Sequence, residues 1–164
     1  GNPALYVLVD TPAMKTLIKN MNKLGRMLEN IGIESIVLII PYTLRKQYWN
    51  ILRINVSDLY RSLRHIMYKV RIKEVNKESE RRVKTMFENM YIRVKNALTT
   101  RKHLNPEDDA TIVTAASIHA HSSSKLYVVA KGEHVSHYSN AKHVIEEELR
   151  KPECWFTVLD IDNL

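Results

Sequence analysis

Two aspartates carry the first chemical signal in this chain. Asp10 closes the apolar run "ALYVLVD", and Asp109 stands in "NPEDDATIV" directly after Glu107 and Asp108. A single acid at a helix start is explained by the helix dipole, and Asp10 can equally serve as a cap shared with Thr11. Three consecutive acids exceed what a cap needs, because they repel one another unless a cation or a base is close. Asp10 and Asp109 brought to one sheet edge would form the oxygen-rich site that Mg²⁺ or Mn²⁺ takes. Asp108 and Glu133 are the further acids that could join it, and two cations with a deprotonated water between them need that added charge. Histidine is a second source of chemistry. His134 and His137, three apart, can face one way on a helix and hold a transition metal. No suitably spaced third ligand accompanies them, so surface or capping roles are the simpler reading, as they are for His119 and His121 in "IHAH".

The order of elements decides whether these groups can meet. "ALYVLVD" reads as a buried strand, and Thr11-Pro12 as a cap with proline at the first helical position. Met14, Leu17, Ile18, Met21, Leu24 and Leu28 then recur at helical spacing. "IGIESIVLII" is a second buried strand stopped by Pro41, followed by a helix from near Tyr42 and another from Ser57-Asp58. "KVRIKEV" fits a short strand or a continuation of that helix. The stripe from Val83 to Leu98 reads as one helix, and Asn105-Pro106-Glu107 as the cap of the next. "KLYVV" is a third buried strand, "SHYSNAKHVIEEELRK" is largely helical, and "CWFTVLDI" is a final strand. Continuous apolar strands separated by helices predict an α/β fold: a single domain spanning 1–164, with a central, mainly parallel sheet flanked by helices. In such a sheet, function gathers beyond the carboxyl ends of the strands.

These segments resemble the PIN domain, a fold of metal-dependent nucleases. "YVLVDT" looks like its opening strand with the first metal-binding Asp. "IVLIIPYTLRKQYWNIL" is similar to its second strand, proline and helix, and "DDATIVTAASIHAHSSSKLYVVAKGEHV" to its Asp-bearing helix, strand and last acidic turn. The resemblance covers roughly residues 4–52 and 105–161, and the intervening helical segment is longer and more basic than in a minimal member. It puts the first family acid on Asp10 and the third on Asp109. The second falls on Gln47, six residues past Pro41, and the fourth on Gly132, in Ala130-Lys131-Gly132. Two of four acidic positions are therefore substituted. The resemblance implies a nucleic-acid-processing protein, RNA-directed, with a Mg²⁺- or Mn²⁺-dependent phosphodiesterase site that is reduced or degenerate. The alternative is a non-catalytic PIN-like module binding RNA or a protein partner. Toxin-type members of the family also suggest a homodimer.

Bulk properties fit that expectation. The chain has 164 residues, 45% hydrophobic and 26% charged, a globular balance. Its net charge is +7, yet Arg61 to His103 alone carries thirteen Lys or Arg against four Glu. Arg61, Arg64, Lys69, Arg71, Lys73, Arg81 and Arg82, with Lys131, are the candidate phosphate contacts, and Tyr68 and Tyr91 candidate stacking groups; a solvated face and core tyrosines are the alternatives. The longest apolar run, "IVLII", is too short to cross a bilayer, and no signal-peptide pattern is present. One cysteine, Cys154, excludes an internal disulfide and reads as a buried small apolar residue beside Trp155. An intracellular protein, cytoplasmic or nuclear, is expected.

Overall fold

The computed structural model describes residues 4–30, 35–65, 69–98 and 107–164, with Leu24, Met27, Leu28, Glu29 and Asp109 described by their backbone only. The Asn105-Pro106 cap and the ring of Tyr68 lie outside the described residues. Strands β1 (Ala4–Val9), β2 (Ser35–Pro41), β3 (Lys69–Val75), β4 (Leu126–Ala130) and β5 (Phe156–Asp160) form one sheet in the order β3-β2-β1-β4-β5. Every pairing is parallel. The α/β architecture expected from the apolar strands is therefore present.

β1, β2 and β4 are buried on both faces, which is why they read as continuous Val, Leu and Ile runs instead of alternating ones. β3 is an edge strand, and "KVRIKEV" is this strand and not a helical continuation. Its alternation puts Lys69, Arg71 and Lys73 outward while Val70 and Val75 are buried. Charged side chains on an edge also discourage pairing with a further strand.

The helices are α1 (Thr11–Lys19), α2 (Met21–Asn30), α3 (Tyr42–Gln47), α4 (Val56–Arg64), α5 (Lys77–Met86), α6 (Glu88–Leu98), α7 (Asp108–His119), α8 (Glu133–Ser139) and α9 (Lys142–Glu148). A π turn, Tyr48–Leu52, continues α3, and a 3₁₀ turn, Ile161–Asn163, follows β5. Asn55 caps α4 and Asn76 caps α5 through their side chains, so the restart expected at Ser57 belongs to Asn55. The stripe ending at Leu98 is broken at Phe87 into α5 and α6. Cys154 departs from expectation: it is exposed in a turn with φ 67°, because β5 begins only at Phe156.

The sheet's switch point lies between β1 and β4, where chain order reverses. There the Asp10 N–H donates to the Val129 carbonyl at 2.9 Å, fixing Asp10 just beyond the end of β1. Functional groups collect at such a crevice.

Candidate functional site

Asp10 is 2% exposed, and its carboxylate does not cap α1. A buried carboxylate costs several kcal/mol unless it is paired, so its partners matter. Tyr138 of α8 donates its hydroxyl to Oδ1 at 2.8 Å. His134, one turn earlier on α8, brings Nδ1 to 3.1 Å from Oδ2. The start of α1 adds the positive end of a helix dipole. Tyr48 donates to the Val9 carbonyl from the other side. Burial, and then the charge of Asp10, push the Tyr48 hydroxyl well above its ordinary pKa; the same causes, with Asp108 added, push up Tyr138. Both phenols stay neutral donors.

Asp108, at the start of α7, is buried beside this group. Its Oδ2 lies 3.3 Å from His137 Nε2 and 4.0 Å from His134 Nδ1. Burial raises its pKa, the nearby Asp10 charge pushes the same way, and contact with His137 pulls it back. His134 is shifted upward, first by Asp10, with Asp108 and Glu133 contributing against the cost of burial. His134 Nδ1 thus lies beside two buried carboxylate oxygens, a place for positive charge. His137 is buried, whereas the His134 side chain is 21% exposed and opens the cluster to solvent.

Cation fit can be judged from the unpartnered atoms. Asp10 Oδ2, Asp108 Oδ2, His134 Nδ1 and both His137 nitrogens lack an aligned hydrogen bond despite their proximity. Two carboxylate oxygens are therefore available, but the His134 ring stands beside both. Among the described residues no three His, Cys, Asp or Glu side chains are placed to hold a metal ion. Mg²⁺ takes one or two carboxylates and fills the rest of its octahedral shell with water, and here the His134 imidazole competes for both described carboxylate oxygens.

The other candidates are distributed unevenly. Asp109 is the second residue of α7, and its side chain is outside the described set. Gln47, where the PIN resemblance expects the second acid, is buried and accepts the Thr11 hydroxyl at 2.8 Å, so this position meets the residue after Asp10 and brings an amide. Gly132 caps α8 with φ 60° and ψ −128°. Glu133 opens α8 on the exposed rim, near enough for its charge to act on His134. Lys131 is beside the site but holds Asp162 at 2.9 Å. Arg61 and Arg64 on α4, Lys69, Arg71 and Lys73 on β3, and Arg81 and Arg82 on α5 are all exposed; β3 is separated from β1 by β2, and α4 packs on β3, whereas α5 packs on α7. Tyr91 packs partly against the core with Lys84 over its ring at 5.3 Å.

The phenols of Tyr48 and Tyr138 were not anticipated. Tyr138 follows His134 by four and His137 by one, so the three share one face of α8, a pattern present in the sequence. Burial of Tyr48 follows from its place immediately after Gln47. No family model matches this chain, and no curated protein matches it in sequence.

Proposed function

We propose that this chain is a PIN-like protein directed at nucleic acid, RNA in particular, whose phosphodiesterase site is degenerate and whose remaining role is binding. The carrying observation is the imidazole of His134 set beside the buried carboxylates of Asp10 and Asp108 at the sheet's switch point. A metal-dependent phosphodiesterase keeps its carboxylates for cations. Here the His134 imidazole stands beside both carboxylates, the Tyr138 phenol donates to Asp10, and Gln47 adds no charge. The all-parallel sheet, the position of Asp10 and the basic exposed surface support the PIN-like reading.

A second reading is a reduced but working Mg²⁺- or Mn²⁺-dependent endoribonuclease. It draws on the two carboxylate oxygens that lack aligned donors. In it Asp10 and Asp109 hold the cation, with Asp108 and Glu133 assisting. Imidazole in the donor set would turn preference from Mg²⁺ toward transition ions.

Labelled single-stranded RNA, incubated with protein in Mn²⁺ or in EDTA, separates the two. The first reading expects salt-dependent binding and intact RNA in both. Mn²⁺-dependent cleavage that disappears in Asp10→Asn would establish the second. Absence of binding at low salt would remove nucleic acid from both.

A further inference from the structure

The outer face of α3 and its π turn carries a feature separate from the buried cluster. Thr43, Leu44, Gln47 and Tyr48 point inward, which leaves Tyr42, Arg45, Lys46 and Trp49 on the opposite face. Three cations surround the Tyr42 ring: Arg45 at 5.3 Å, Lys46 at 5.6 Å and Lys77 at 5.9 Å. Trp49 is 50% exposed, with the Arg53 guanidinium 6.0 Å from its ring.

The backbone here is unusual. A π turn is rare and concentrates at functional sites, and it is closed by Arg53 at φ 55° and ψ 34°, a left-handed conformation that non-glycine residues seldom hold. A cleft of about 470 Å³ opens between Trp49 and the start of α4. Glu74 lies in it and is met by Arg45 at 3.7 Å, so the cluster's net charge stays positive. An exposed indole and a phenol ringed by cations, on the element that starts at the carboxyl end of β2, have the composition of a stacking platform for bases with cations for the backbone.

We propose that Tyr42 and Trp49 stack bases of single-stranded nucleic acid while Arg45, Lys46, Arg53 and Lys77 hold its phosphates. This deepens the nucleic-acid reading above and rests on it, but it does not depend on whether the buried cluster cleaves. It moves the contact surface away from Arg61, Arg64, Arg81 and Arg82.

Fluorescence anisotropy with a labelled oligouridylate tests it, on wild type, Trp49→Ala, Tyr42→Ala and an Arg61→Ala/Arg64→Ala control. Each ring is expected to contribute about 5- to 150-fold in affinity, and the control much less. Tryptophan emission adds an independent readout, since Trp155 is 1% exposed and Trp49 is the accessible indole. Quenching by the oligonucleotide in wild type that is lost in Trp49→Ala is the expected result. Wild-type affinity in both ring variants with loss in the control would overturn this surface and leave the nucleic-acid reading intact. No binding by wild type would overturn both. Binding to anionic phospholipid vesicles with none to the oligonucleotide would reassign the platform to a membrane surface and overturn the proposal.

Discussion

Gly132 shows how one residue rewrites a site. A Cβ placed on it meets nothing within 4 Å, so space does not require glycine there; the backbone does, at φ 60° and ψ −128°. That conformation turns the chain out of β4 directly into α8 and delivers His134, His137 and Tyr138 to the buried carboxylates. Gly132→Ala should therefore cost about 1–3 kcal/mol in urea unfolding from backbone strain; an unchanged midpoint would contradict this role. The sequence displayed a glycine where the PIN resemblance expects an acid, but not the histidine cluster that the turn brings to the carboxylates, because positive φ is a property of the fold. Asp10 was legible as an acid needing partners for a physical reason: a carboxylate directly after an all-apolar strand must be handled somehow. That its partners would be phenol and imidazole was not legible, since they come from 128 and 124 positions away.

His119 is a second residue whose role can be isolated. It packs against Tyr6 and Trp155, and its Nε2–H donates to the Ser124 carbonyl at 2.9 Å, so the neutral ring is the one that fits. Burial lowers its pKa below the ordinary value, with the charges of His121 and Lys73 adding to it. The unfolded chain, with a histidine near about 6.5, then binds more protons than the folded one. Its contribution to stability is complete above that pH and declines as pH falls through the lowered folded value. Urea unfolding of wild type and His119→Phe across pH 8 to 5 should show an extra wild-type loss of up to about 1.4 kcal/mol per pH unit below 6.5. Parallel curves for the two proteins would contradict it.

At the scale of elements, α3 is the pivot of the molecule. It begins at the carboxyl end of β2, turns Gln47 and Tyr48 toward Asp10, and presents Tyr42 and Trp49 outside. Its N-terminus is held from a distance: Glu80 of α5, itself buried, accepts from the Thr43 N–H at 3.2 Å and from the Thr43 hydroxyl at 2.7 Å. A carboxylate at that end of a helix also meets the favourable dipole. Glu80→Gln removes the charge and leaves one of these donors poorly met, for an expected loss of about 1–3 kcal/mol in thermal or urea unfolding. A neutral result would mean that α3 is held by packing alone. The helix was readable from Pro41 and the Leu44, Tyr48 spacing; the Glu80 cap was not, because it spans 37 residues of sequence. β3 was ambiguous for a different reason. Seven alternating residues fit an edge strand or the end of an exposed helix, and only pairing with β2 decides between them.

Across the whole molecule, charge and the acidic cluster sit on different elements. The basic stretch that dominates the sequence lies on α4, β3 and α5, while Asp10 follows β1 and Asp108 starts α7, a helix that packs against α5. Composition points to a surface suited to a polyanion but not to where that surface lies, since strand order is set by the pairing of the folded sheet. No helix among the described residues is long and apolar enough to cross a membrane. What unifies the molecule is a sheet switch point at which the His134 imidazole stands beside two buried carboxylates and the neutral Tyr138 phenol donates to one of them; on the proposed reading, this is why the site holds no cation. Calorimetric titration of Mn²⁺ into wild type and His134→Ala tests that most directly. The account predicts no saturable binding below the millimolar range in wild type, and binding at least about ten-fold tighter once the ring is removed, the worth of roughly 1.4 kcal/mol of relieved repulsion. Micromolar binding by wild type that His134→Ala weakens would make His134 a ligand, and would contradict it.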